Sequence, residues 1–197
     1  VIAGRRRRCL VALVSAVAVI GTAATTTAAA DLSGVWQRIG NAPLQPTGTR
    51  DLARCIPQGA PELMFRAEPF QLLQTAELVL FLHEANHLPR FVFMNSTHPT
   101  GPDPTHLGHS VGRWEGDTLV IDTVGFHDKS GVGKSAVAHT AALHVVERLT
   151  LRQGGRVLQD ELLMEDSGAI TRSSKRVISF RRRAGARLKE NLCAWQH

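Results

Sequence analysis

Nine histidines, several of them close to carboxylates on strand-like runs, are the part of this 197-residue chain equipped to do chemistry. His109, Asp122, His144 and Glu147 form the candidate catalytic set. An imidazole exchanges protons near neutral pH and a neighbouring carboxylate fixes its tautomer, which is what general acid–base catalysis needs. His98, Arg90, Trp114 and Arg148 are the residues expected to contact a ligand, and His127 and His139 are of the same chemical type. Strand parity adds a constraint. Thr118, Val120 and Asp122 share a face opposite Leu119 and Ile121, while His144 and Arg148 lie opposite Leu143, Val145 and Glu147. A carboxylate among apolar neighbours is costly unless it is paired. Glu147 is therefore expected either in a polar cavity or buried against an arginine such as Arg90 or Arg113.

A second pattern competes. His83-Glu84-Ala85-Asn86-His87 fits the H-E-x-x-H arrangement of zinc peptidases, in which two histidines on one helical face bind the metal and the glutamate polarises a water. Leu78 to Leu82 is strand-like, however, and Pro89 follows closely, so residues 78 to 94 read as a strand, a turn at 85 to 88 and another strand. On a strand, positions i and i+4 stand about 13 Å apart, too far to share one ion. Zinc held by His83 and His87 thus belongs only to the alternative in which this segment is helical. Without it no cofactor is expected.

The elements that must position these residues are short strands. Runs at Phe70 to Gln74, Leu78 to Leu82, Phe91 to Met94, Ser110 to Trp114, Thr118 to Val124, Leu143 to Leu151, Val157 to Met164 and Arg176 to Phe180 are each bounded by turn residues, after a first strand within Asp31 to Trp36. Glu115-Gly116-Asp117 and Gln153-Gly154-Gly155 read as hairpin turns. So many short antiparallel strands in one domain predict an all-β closed barrel or sandwich. Gly131-Val132-Gly133-Lys134-Ser135 imitates half a phosphate-binding loop, but Asp128 stands where that motif needs its first glycine, and the stretch reads as a surface loop.

Gly34-Val35-Trp36 on the first strand resembles the Gly-x-Trp motif that opens lipocalin (calycin-type) barrels. The resemblance implies that the tryptophan closes one barrel end beneath an arginine from a late strand; Arg181, Arg182, Arg183 and Arg187 are placed for this cation–π contact. Gly108-His109-Ser110-Val111-Gly112-Arg113-Trp114-Glu115-Gly116-Asp117-Thr118-Leu119-Val120-Ile121-Asp122-Thr123-Val124-Gly125-Phe126, followed by Leu143 to Arg148, is similar to the signature of a family of small exported bacterial proteins. That likeness extends to Cys55 through Pro61, Pro69-Phe70, Arg90, His98-Pro99 and Glu190 ahead of Cys193, and departs at Asn95-Ser96-Thr97, where Asp-Gly-Arg is usual. It implies a shared fold and compartment but transfers no mechanism.

Arg5 to Arg8, the apolar and small residues from Cys9 to Gly21, and Ala28-Ala29-Ala30 read as a signal peptide, residues 1–30, ahead of a single β-rich domain, residues 31–197. The expected location is periplasmic or secreted. The apolar run is too short for a membrane anchor, so no stable membrane insertion is expected. Export also leaves Cys55 and Cys193 as a pair in an oxidising compartment, most simply a disulfide. The basic overall charge falls to 19 cations against 17 acids without the leader. The cationic run from Arg172 to Lys189 lacks interleaved aromatics and reads as a solvated strand face, so no nucleic-acid partner is expected. The resulting expectation is an exported barrel holding a small molecule in its cavity, either simply bound or chemically altered there. The sequence does not fix the oligomeric state.

Overall fold

In the computed structural model, the residues described are 29–40, 59–85, 87–127, 139–168 and 173–190. They form β1 (Gly34–Arg38), β2 (Phe70–Gln74), β3 (Leu78–His83), β4 (Pro89–Met94), β5 (His109–Glu115), β6 (Thr118–Val124), β7 (Leu143–Arg152), β8 (Val157–Asp166) and β9 (Ser173–Arg182), with one 3-10 turn at Glu62–Phe65. The strands follow in chain order around a closed all-β barrel. Residues 1–28 of the expected leader, Cys55, Cys193 and the glycine-rich stretch 131–135 lie outside the described residues, as does the expected disulfide.

Eight neighbouring pairs are antiparallel, but β4 and β5 run parallel, with Phe93 opposite Val111. This corrects the all-antiparallel expectation, and the reason is parity. Strand direction cannot alternate around a closed ring of nine, so an odd number of pairs must be parallel. The chain returns between β4 and β5 through residues 95–108, which are pinned at both ends. Asn95 N–H donates to Gly112 O at 2.7 Å, Thr105 N–H to Gly125 O at 3.0 Å, and His127 N–H to Thr105 O at 2.8 Å.

Alternation along each strand divides lumen from outer wall. On β7, Leu143, Val145, Glu147 and Leu149 are buried inward while His144 and Arg148 face out. Inward side chains build one apolar cluster around Trp36, Phe70, Phe81, Ile121, Leu149 and Phe180, and a second around Phe126, Leu143, Val145, Leu162 and Met164. Every buried member of both clusters is at most 8 % exposed. A lumen wide enough for a ligand would leave accessible area on its lining, so the described interior is packed core.

At one end Arg182 lies over the Trp36 ring at 4.3 Å, and among the four arginines it is this one that takes the position. Its Nε donates to Gly155 O at 2.9 Å, and its two Nη groups donate to Ser33 O and, at 3.2 Å, to Asp31 O. Gly34 makes room for it. With φ of +137°, a Cβ there would also stand 2.8 Å from an Arg182 Nη atom. Trp114, expected to contact a ligand, packs against this inner cluster instead.

Candidate functional site

Within the barrel, Arg90 from β4 is 2 % exposed and sits at the centre of a polar layer. Its Nε donates to Ser110 Oγ at 3.1 Å and one Nη to Glu147 Oε1 at 2.9 Å. The other Nη donates to Glu147 Oε2 and to Thr123 Oγ1, the latter at 2.9 Å. The Ser110 and Thr123 hydroxyls are 2.9 Å apart. The planar guanidinium is thus matched bidentately to one carboxylate, with its remaining reach spent on two hydroxyls. Glu147 is fully buried, and its partner is Arg90 rather than Arg113.

Two further buried groups adjoin this pair. Asp160, inward on β8 and diagonal to Glu147, has no exposed surface and no hydrogen bond of good geometry to either carboxylate oxygen. Burial, then the charge of Glu147, pushes its pKa well above the usual carboxylate range. His83 closes β3 with its ring 5.3 Å from Phe70 and 6.2 Å from Phe81. Burial, then the charge of Arg90, pushes its pKa down to about 3, so the ring is neutral.

On the outer wall a different constellation assembles. His98, in the 95–108 return, places Nδ1 2.9 Å from Nδ1 of His109 on β5 and Nε2 3.1 Å from Oδ1 of Asp122 on β6. His144 on β7 brings Nε2 to the same Asp122 oxygen at 3.0 Å, and its Nδ1 lies 3.8 Å from Glu165 Oε2 on β8. Gly108 delivers His109 to this place: it has φ of +68°, and a Cβ would stand 2.8 Å from Thr123 Cγ2 and Val124 O. The Phe93 ring stacks on His109 with centroids 5.4 Å apart. The side chains of His98, Asp122 and His144 are 23, 30 and 37 % exposed, so solvent reaches the group.

The expectation that His109, Asp122, His144 and Glu147 line one cavity is therefore corrected. The first three face outward and join His98, whereas Glu147 faces inward and joins Arg90, because strand parity puts neighbouring positions on opposite faces of the wall. Arg90 is likewise engaged inside the wall. Arg148 is on the outer face but donates to Glu115 Oε2 at 2.8 Å, while Arg113 donates to Oε1 of the same carboxylate. His83 and His87 are not on a helix: the first ends β3 inside the barrel and the second sits in the following turn with φ of +52°. The helical pairing that the zinc-peptidase pattern requires is absent from this segment.

The outer chain has a definite proton logic. An ionised carboxylate only accepts, so Asp122 fixes the donating proton on Nε2 of both His98 and His144. With the His98 proton on Nε2, its Nδ1 is free to accept from His109 Nδ1–H, an arrangement that leaves His109 Nε2 as an unprotonated base. Burial, and after it repulsion from His98 whenever that ring is protonated, holds the His109 pKa below its ordinary value, which favours a neutral His109. Because His98 spends one nitrogen on each neighbour, the donors run in line rather than converging, and among the described residues no group of three or more His, Cys, Asp or Glu forms a metal cage. Asp160, Glu165 and Phe93 were not singled out from sequence. For Asp160 the signal was its place in the alternation with Leu158 and Leu162.

No protein-family model, no curated protein and no solved structure matches this chain.

Proposed function

We propose that the protein is an exported small-molecule-binding barrel whose working site is the outer-wall chain of His109, His98, Asp122 and His144, built for general acid–base chemistry. The observation that carries this reading is the continuous run of three imidazoles bridged through one carboxylate, in a place solvent can reach. His109 Nε2 takes a proton from the bound molecule or from a water attacking it. The Nδ1 proton of the resulting imidazolium passes to His98 Nδ1, and Asp122 stabilises the charge that arrives on His98. The leader-like residues Arg5 to Ala30 support export.

The test uses p-nitrophenyl acetate, a general acyl probe. The water's proton would go to His109 as its oxygen adds to the acyl carbon and nitrophenolate leaves. Asp122→Asn is expected to lower the rate by about 10²-fold, in line with the worth of a positioned base. Because the His109 pKa lies below 6.5, the wild-type rate should persist into mildly acidic solution. Equal rates for wild type and Asp122→Asn would overturn the reading.

A further inference from the structure

The outer wall beside this site is apolar in a way the fold does not require. β3 reads Leu-Val-Leu-Phe-Leu, apolar on both faces; Val79 and Phe81 fill the interior, while Leu78 and Leu80 face out. Their cross-strand partners extend the surface. Leu73 on β2 lies opposite Leu80, which lies opposite Phe91 on β4; Leu78 lies opposite Phe93, which lies opposite Val111 on β5. Leu73, Phe91 and Phe93 are 45, 46 and 43 % exposed. An outward strand face in water is ordinarily polar, so two adjacent apolar rows with such exposure call for an occupant.

The second row leads into the site. From Val111 the register continues to Asp122, and the ring of Phe93 is the one stacked on His109. Apolar wall and hydrogen-bonding chain are therefore one surface. Its dimensions favour a small molecule. Adjacent strands are about 4.8 Å apart and outward positions about 6.7 Å apart along a strand, so the two rows, which together span β2 to β5, cover roughly 14 Å by 7 Å. A stable protein contact buries about 800 Å² on each partner, several times that area.

We propose that these rows are the apolar half of the site, and that the molecule it takes is amphipathic: a ring system or short acyl chain over Leu73, Leu80, Phe91 and Phe93, with one hydrogen-bonding head at the imidazole–carboxylate chain. This rests on the function proposed above and names its substrate class. Aromatic rings and leucines supply dispersion and area without choosing among apolar bodies, whereas the chain of His109, His98 and Asp122 selects for a head that gives or accepts a proton.

The test is titration of the full protein with N-phenyl-1-naphthylamine, a fluorescent apolar ring system with one N–H, into wild type, Leu73→Glu/Phe91→Glu and Asp122→Asn. Both substituted side chains of the double variant are exposed and belong to neither apolar cluster of the interior, so the fold should persist, as a thermal melt verifies. We expect saturable one-to-one binding to wild type, at least tenfold weaker binding to the double variant, and binding weakened several-fold with Asp122→Asn. Unchanged affinity in the double variant would overturn the apolar assignment while leaving the acid–base reading to its own assay. Loss of probe in the double variant, combined with an unaltered ester rate in Asp122→Asn, would support the apolar site and end the acid–base reading. Sedimentation gives the remaining outcome: a wild-type dimer that dissociates in the double variant and excludes the probe would overturn the proposal in favour of a second copy.

Discussion

Removing the charge of Glu147 should reveal that Asp160 is a spare counter-ion. Glu147→Gln keeps the shape of the side chain but leaves the Arg90 guanidinium buried without its carboxylate, and breaking a buried ion pair in this way costs ~3–5 kcal/mol. Asp160 changes that arithmetic. Its pKa is raised first by burial and second by the charge of Glu147, while Arg90 pulls it the other way. Once Glu147 is neutral, the second cause disappears and the attraction of Arg90 is opposed chiefly by burial, so Asp160 ionises more readily and partly replaces the lost charge. The single variant is therefore expected to fall short of the full loss by about 1–3 kcal/mol, the size of coupling typical for groups sharing one network. Glu147→Gln/Asp160→Asn should restore the full ~3–5 kcal/mol, because no carboxylate then remains beside Arg90.

The single variant Asp160→Asn completes the cycle, and its sign follows from linkage. A carboxyl whose folded pKa is raised gives its full stability below the unfolded value of 3.8 and loses it as pH rises through the folded value. Above pH 3.8 the wild type thus carries a cost that Asp160→Asn, which cannot ionise, does not, so the variant should be unchanged in stability or more stable at neutral pH. That advantage should vanish in acid, where the unfolded chain is protonated as well. Urea unfolding of all four proteins, followed by tryptophan fluorescence, supplies the free energies. Additivity within about 0.5 kcal/mol would refute the idea that Asp160 substitutes for Glu147.

His83 makes the opposite prediction in acid. Its folded pKa of about 3 lies below the unfolded 6.5, so its stabilisation is present above pH 6.5 and is lost as pH falls towards 3. Between about pH 7 and pH 4 the loss comes to about 3 kcal/mol, at 1.36 kcal/mol per pKa unit. His83→Phe, placed between Phe70 and Phe81, should unfold in urea with that much less dependence on pH, whatever offset its larger ring introduces; an identical pH slope would show that His83 is not the group. Gly34→Ala should lose about 1–3 kcal/mol, because a side chain at its positive φ is strained and its Cβ meets Arg182. An unchanged melting temperature would mean that the arginine at the barrel end yields freely.

What was legible in the sequence was whatever period two could encode. The run from Leu143 to Arg152 alternates strictly, and that alone places Glu147 inside among leucines and valines, in need of a cation; Arg90 was already one of two arginines named for it. The same rule put His144 on the far side of that strand and Asp122 on the far side of Ile121. Grouping His109, Asp122 and His144 with Glu147 by chemical type overrode the parity that separates them, and the structure restores it. The direction of β5 was not legible, since no residue of a strand records which way its neighbour runs; only the closed ring of nine forces a parallel pair. His98 was visible as a candidate, but its place between His109 and Asp122 depends on the path of residues 95–108, which local pattern does not determine.

The two polar groups sit back to back across the same wall, and their differences follow from which side of it they occupy. Ser110, Thr123 and Glu147 point inward beside His109, Asp122 and His144, which are chain neighbours or near neighbours pointing outward. Inside, charge is tolerated only where it is matched, so Arg90 makes four hydrogen bonds and holds β4, β5, β6 and β7 in a single register. Outside, solvent lowers the cost of a change in charge, so a line of imidazoles can gain and lose protons without endangering the fold. The inner network would be a poor catalyst because its charges are matched and its members are sealed from solvent. Its effect on the outer site is geometric: by fixing the register of β5, β6 and β7 it fixes how far His109, Asp122 and His144 stand from one another, which an acid–base relay must hold to within a hydrogen bond's length.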